Sequence, residues 1–149
     1  MFVCTDVKVI EVADASELYA ALRFAKGMIF LCKTVDTSRD SNVVCYSLPR
    51  IMIQNFELGY YMTYQHCLDG VMHKYKAVGD KDNPNCFTIN KVDAEGLRFP
   101  KSLLVPEEKM MKCAVDFMEL MKATDFGVDI VLPGSVEWIC KNKAKDDRT

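Results

Sequence analysis

The sequence predicts an α+β domain: a mostly antiparallel sheet of about six strands, with an early short helix and a long amphipathic helix over 106–124 packed on one face. Three observations carry this prediction. Strand-like runs follow one another through the middle of the chain without the intervening helices that a doubly wound parallel sheet requires. Asp69-Gly70 is a favoured dipeptide for a two-residue type I′ hairpin loop. Pro106, Glu107 and Glu108 precede a long stretch of helical apolar spacing.

Taken in order, Val7 to Val12 is short and β-branched, as a strand should be. Asp14 can then cap a helix, with Glu17 three residues on to complete a capping box. Leu18, Leu22 and Ala25 line one face of that helix, and Gly27 suits a left-handed C′ position. Met28 to Cys32 is a continuous apolar run, which fits a strand buried on both faces. Asp36 to Ser41 reads as a polar loop, Asn42 to Leu48 as a strand, and Pro49 as its end or an edge marker.

Residues Arg50 to Leu68 admit two readings. Ile53, Phe56, Tyr60 and Cys67 fit a helical face, but the run Tyr60 to Tyr64 is rich in strand formers. The strand reading is preferred because of Asp69-Gly70. The turn places Leu68 opposite Val71, Cys67 opposite Met72, His66 opposite His73, Gln65 opposite Lys74 and Tyr64 opposite Tyr75. Alternation then puts Met62, Tyr64, His66, Leu68, Val71, His73, Tyr75 and Ala77 on a packed side. Tyr61, Thr63, Gln65, Cys67, Met72, Lys74 and Lys76 fall on a partly wet side.

Beyond the hairpin, Gly79 to Asn85 is a loop of turn formers, Cys86 to Val92 a strand, Asp93 to Gly96 a turn, and Leu97 to Val105 extended or irregular. Pro106 opens the long helix, where its missing N–H does no harm, and the two glutamates suit the positive end of the dipole. Met110, Met111, Ala114, Val115, Met118 and Met121 form its apolar face, opposite Lys112, Asp116 and Glu119. Gly127 ends it. Val128 to Leu132 reads as a short strand and Pro133-Gly134 as a turn. Ser135 can cap a last helical turn holding Val136, Trp138 and Ile139, though a strand is possible there too.

The 149 residues fit a single domain over 1–149, with a polar C-terminal tail at 141–149. Apolar residues make up 50% and charged residues 27%, a globular balance that argues against disorder. A net charge of -2 supplies no basic stripe for a phosphate backbone, so no nucleic-acid partner is expected. Lys141 to Lys145 is followed at once by Asp146 and Asp147 and reads as solvated tail. No window approaches the ~20 apolar residues of a membrane span, and Met1 to Asp6 lacks the marks of a secretory leader. The seven cysteines are irregularly spaced with no CxxC pair, the pattern of reduced thiols. A cytoplasmic location is therefore expected.

Four constellations can carry chemistry. His66 and His73, the two histidines of the chain, face each other across the hairpin and are weak candidates for a shared metal; zinc wants four ligands, and none is supplied nearby in sequence. A cysteine could meet either histidine, but no thiol sits at a predicted helix start, where its pKa would fall, so inert buried thiols are expected. Tyr60, Tyr61, Tyr64 and Tyr75 offer apolar bodies with polar tips, suited to an interface or to an ordinary sheet face. The methionine-rich helix suits an adaptable binding surface or plain core. The acidic pairs lack the glycine and terminal glutamate of a calcium loop, and no P-loop, GxGxxG, GxSxG or HExxH occurs.

These features predict a non-catalytic intracellular binding protein: a small regulator, inhibitor or immunity-type protein acting on a protein partner, with no cofactor. The candidate binding residues are Tyr60, Tyr61, Tyr64, His66, His73 and Tyr75. An alternative is a small apolar-ligand carrier, since one early helix, a run of strands and a late helix resembles helix-grip folds in outline, which implies a cavity between sheet and late helix. The segment after Gly127 departs from that outline. A further alternative is an enzyme using His66 or His73 with a cysteine or a metal.

Overall fold

The computed structural model describes residues 1–6, 8–36, 45–89, 96–123 and 130–140, with 45 and 46 as backbone only. The first strands are β1 (Phe2–Cys4) and β2 (Val9–Glu11), followed by α1 (Ala15–Phe24) and β3 (Met28–Cys32). A small ribbon, β4 (Val35–Asp36) with β5 (Cys45–Tyr46), precedes the long strands β6 (Arg50–Phe56), β7 (Gly59–Leu68) and β8 (Val71–Val78). The chain closes with β9 (Cys86–Ile89), β10 (Leu97–Pro100), a 3-10 turn (Lys101–Leu103), α2 (Glu107–Ala123) and β11 (Glu137–Cys140).

Seven strands form one sheet in the order β11-β8-β7-β6-β3-β1-β2, every neighbouring pair antiparallel. The α+β class and the antiparallel sheet match the sequence expectation, with one strand more than the six anticipated. β1 was not foreseen. It is three residues long and carries no turn signal of its own, yet it fills the place between β3 and β2.

Local chemistry accounts for the helix starts. The Asp14 carboxylate accepts from the Glu17 N–H at 2.9 Å, and Glu17 reaches back to accept from the Ala13 N–H at 2.8 Å. Two of the otherwise unsatisfied donors at this end are thereby met. Gly27 is left-handed (φ +78°), but it serves the turn into β3 and not the helix end, which closes in extended geometry at Ala25. The Met110 N–H donates to the Pro106 carbonyl at 3.0 Å, as expected for a proline opening α2.

Both helices cover one face of the sheet. Leu18 and Leu22 of α1 and Met110, Phe117, Met118 and Met121 of α2 pack on Val3, Ile29, Leu31, Ile51, Ile53, Met62 and Tyr64. The buried stripe of α2 includes Cys113 and Phe117, whereas Met111 and Val115, predicted to lie in it, are only partly buried. Lys122 of α2 donates to the Ala13 carbonyl at 3.0 Å, joining the end of one helix to the start of the other.

The opposite face is not as wet as alternation suggested. β9 and β10 leave the main sheet and pair with each other. Phe87 and Phe99 of this hairpin lie 5.4 and 5.3 Å from the Phe56 ring, and Phe99 lies 4.9 Å from Tyr61. Tyr61 and Thr63 are buried in consequence.

Two late expectations are corrected. Ile130 to Leu132 forms no strand, and Glu137–Cys140 is an edge strand paired with β8 where a Ser135-capped helical turn was one reading. Pairing with β8 partly buries the inward side chains Trp138 and Cys140, which an isolated turn could not do. Asp36, expected to open a polar loop, instead ends β4 and pairs with Cys45 of β5; the rest of that loop at 37–41, the strand start at 42–44, the strand end and turn at 90–95, the helix end at Gly127 and the tail at 141–149 lie outside the described residues.

Candidate functional site

The six candidate residues sit on β7 and β8, and the turn between them sets their geometry. Asp69 (φ 51°) and Gly70 (φ 78°) are both left-handed, as a type I′ loop requires. The register follows: Leu68 pairs with Val71, Cys67 with Met72, His66 with His73, Gln65 with Lys74 and Tyr64 with Tyr75. The strand reading of residues 50–68 is therefore the observed one.

Five of the six share the helix-covered face: Tyr60, Tyr64, His66, His73 and Tyr75. Tyr61 points to the other side, into the Phe56–Phe99 cluster. On the shared face Tyr64 is 1% exposed and His66 2% exposed. Tyr60, His73 and Tyr75 are half-buried. Tyr64 is the hub, meeting Tyr75, Phe117 and Trp138 edge-on at 6.3, 6.0 and 6.0 Å. Trp138 is anchored by its indole N–H, which donates to the Pro133 carbonyl at 2.8 Å. Neither Phe117 nor Trp138 was marked from sequence. A helical apolar position and a lone aromatic near an uncertain element carry no local sign that they converge on Tyr64.

Burial sets the charge state. The hydroxyls of Tyr60, Tyr64 and Tyr75 are pushed above the ordinary tyrosine value, in each case first by burial. Second contributions come from Glu107 on Tyr60, from Tyr75 on Tyr64 and from Cys140 on Tyr75. Tyr61 is raised by burial alone. His66 is pushed below the ordinary imidazole value, first by burial and then by His73. At neutral pH this face therefore presents neutral phenols and a neutral His66.

What this arrangement can do chemically is limited. His66 and His73 face each other, but no group of three or more His, Cys, Asp or Glu side chains that could hold a metal occurs among the described residues. Cys67, adjacent to His66 in sequence, is exposed on the opposite face. Cys140, which the sequence reading did not single out, lies opposite Tyr75 on the histidines' own face, diagonal to His73.

The outer end of the hairpin differs in character. Val71, expected on the packed side, is instead 55% exposed because the helices do not reach the end of the hairpin; Met72 is 36% exposed, and Cys67 beside them is exposed as well. Elsewhere, a cleft of about 720 Å³ lies between α1 and α2, lined by Tyr19, Arg23, Glu107, Glu108, Lys109, Met111 and Lys112. Among the described residues no helix is long and apolar enough to cross a membrane. Comparison of the chain with protein-family models, curated proteins and solved structures found no match.

Proposed function

We propose that this chain is a non-catalytic intracellular binding protein whose partner is another protein, and that the partner docks on the outer end of the β7–β8 hairpin. One observation carries the reading: Val71 and Met72 stand exposed at the end of a long, rigidly registered hairpin whose inner half is locked by Tyr64. Apolar side chains held out on a rigid element lose little conformational freedom on binding. Methionine adapts to the shape of a partner pocket.

Tyr61, Tyr64 and His66 are buried, so on this reading they support the hairpin and do not touch the partner. Tyr60, His73 and Tyr75 keep partial exposure beside the docking end. The carrier alternative needs space between sheet and α2, but Tyr64, Phe117, Met110 and Met118 occupy that interface, all at most 1% exposed. The cleft between α1 and α2 is lined chiefly by charged side chains, which suits no apolar cargo.

The test compares wild type with a Val71→Asp/Met72→Asp double variant. Both positions are exposed, so the variant is expected to fold. Wild type should co-purify with a stoichiometric protein partner from its native cell extract, and the variant should lose it. Wild type eluting alone, or a partner retained by the variant, would overturn the proposal.

A further inference from the structure

The sheet has an open edge at β2. Among the described residues it is the last strand, with β1 on one side and no strand on the other. Its hydrogen bonds to β1 fix which backbone groups face that edge. The Val12 N–H donates to the Met1 carbonyl at 2.8 Å, and the Met1 amine donates to the Val12 carbonyl at 3.3 Å. The Thr5 N–H donates to the Lys8 carbonyl at 2.9 Å. Lys8 and Val12 therefore turn their backbone groups toward β1, and Ile10 between them does the same. Antiparallel alternation turns the N–H and C=O of Val9 and Glu11 outward. Both residues are exposed, Val9 at 39%.

The side chains follow the same alternation. Val12 is buried beneath the helices and Ile10 packs against that core, so Lys8 falls on the helix-covered face as well. The last turn of α1 comes back over this side: Ala21, Phe24 and Ala25 line a hollow of about 260 Å³ together with Lys8 and Ile10. α1 thus runs back along β2, with its acidic start near Val12 and its end near Lys8. Phe24 is 83% exposed, the most exposed of the large apolar side chains among the described residues.

We infer that this edge pairs with the same edge of a second copy of the chain, antiparallel and about a two-fold axis at Ile10. In that register the outward groups of Val9 meet those of Glu11 in the second copy, and Glu11 meets Val9, so each residue both donates and accepts. Charge selects this register over its neighbours. A two-fold at Val9 would bring the two Lys8 side chains together diagonally, and one at Glu11 would set two carboxylates directly opposite; both are like-charge contacts. With the axis at Ile10, Lys8 stands opposite Val12 of the second copy, two residues before its Asp14. Asp14 and Glu17 each use one carboxylate oxygen to cap α1, Oδ1 and Oε2, which leaves Oδ2 and Oε1 for the lysine. Ile10 meets Ile10 at the axis, and Phe24 is carried toward the start of the second copy's α1. The result is one continuous antiparallel sheet through two copies, with all helices on one face. The β7–β8 hairpin lies toward the other end of the strand order, so the two surfaces do not compete.

Sedimentation velocity of the full chain over a rising concentration series tests this. A species of twice the 16.9 kDa chain mass should appear, and the Val9 and Glu11 amides should exchange more slowly with deuterated water as it does. Two variants identify the surface. Val9→Pro removes an N–H that the chain's own sheet does not use, a change tolerated on edge strands. Phe24→Asp places a charge at an exposed position. Each should keep the wild-type circular dichroism and weaken self-association at least about tenfold. Phe24→Asp keeps the test decisive if Val9→Pro does not fold. Wild type sedimenting as a monomer at every concentration, a dimer that Phe24→Asp leaves intact, or Val9 and Glu11 amides unchanged by dimerisation would overturn the inference.

Discussion

Replacing Gly79 with alanine tests how the segment leading into α2 is held against the sheet. The Gly79 N–H donates to the Ser102 carbonyl at 2.8 Å, and the Asp80 N–H to the same oxygen at 3.1 Å. A Cβ on Gly79 would lie 1.8 Å from the Leu104 carbonyl oxygen and 2.6 Å from its carbonyl carbon, where ordinary contact begins at 3.4 Å. The obstructing atoms are backbone, so no rotamer change relieves them. The segment must shift, loosening both hydrogen bonds and straining the neighbouring Tyr60–Val105 bridge, whose bonds are 2.9 and 2.8 Å. Two hydrogen bonds at about 1 kcal/mol each, with about 1–3 kcal/mol for overpacking, give a loss of roughly 3–5 kcal/mol. For a domain of this size that lowers Tm by roughly 10 °C. Urea and thermal unfolding followed by circular dichroism read this directly. Gly134→Ala is the control, since none of the described residues lies within 4 Å of the added Cβ. A Gly79→Ala protein within about 0.5 kcal/mol of wild type, the spread of ordinary surface changes, would refute the close-approach argument.

Two further predictions concern the tyrosine–histidine face. The Tyr64 hydroxyl is buried and has no hydrogen-bond partner among the described residues, so Tyr64→Phe removes an unsatisfied group and keeps the ring packing. It should be neutral or stabilising by about 1 kcal/mol in urea unfolding, and a clear destabilisation would reveal a bond that the geometry lacks. His66 protonates less readily folded than unfolded, where its ordinary value is 6.5. Below that pH the unfolded chain takes up a proton that the folded chain refuses. Stability should therefore fall as pH drops, by at most about 1.4 kcal/mol per pH unit, until the folded imidazole also titrates. Unfolding midpoints between about pH 8 and pH 5 should drop more steeply for wild type than for His66→Gln, and parallel curves would rule this out.

Where a structural decision was local, it was legible. Asp69-Gly70 needs two left-handed residues and has them, so five cross-strand pairs followed from one dipeptide. The Asp14–Glu17 capping box and the Pro106 helix start are likewise matters of four or five adjacent residues. Where the decision depended on a distant segment, it was not. Alternation assigned Tyr61 and Thr63 to one face, but only the β9–β10 hairpin, some thirty residues on, determined that this face is buried there. The buried stripe of α2 takes in Cys113 and Phe117, and Phe117 meets the Tyr64 ring that β7 presents from a distant part of the chain.

The candidate site divides the same way. That His66 meets His73 and Tyr64 meets Tyr75 was contained in the chain, because strand register propagates from the turn at two residues per repeat. That His66 and Tyr64 are sealed from solvent and that Trp138 arrives on an edge strand depended on which strands became neighbours. Backbone turn preferences act over a few bonds and are written in the residues themselves. Strand order is a property of the whole packed core, where apolar surface is buried by whichever remote segment fits, and no short stretch of sequence carries that information.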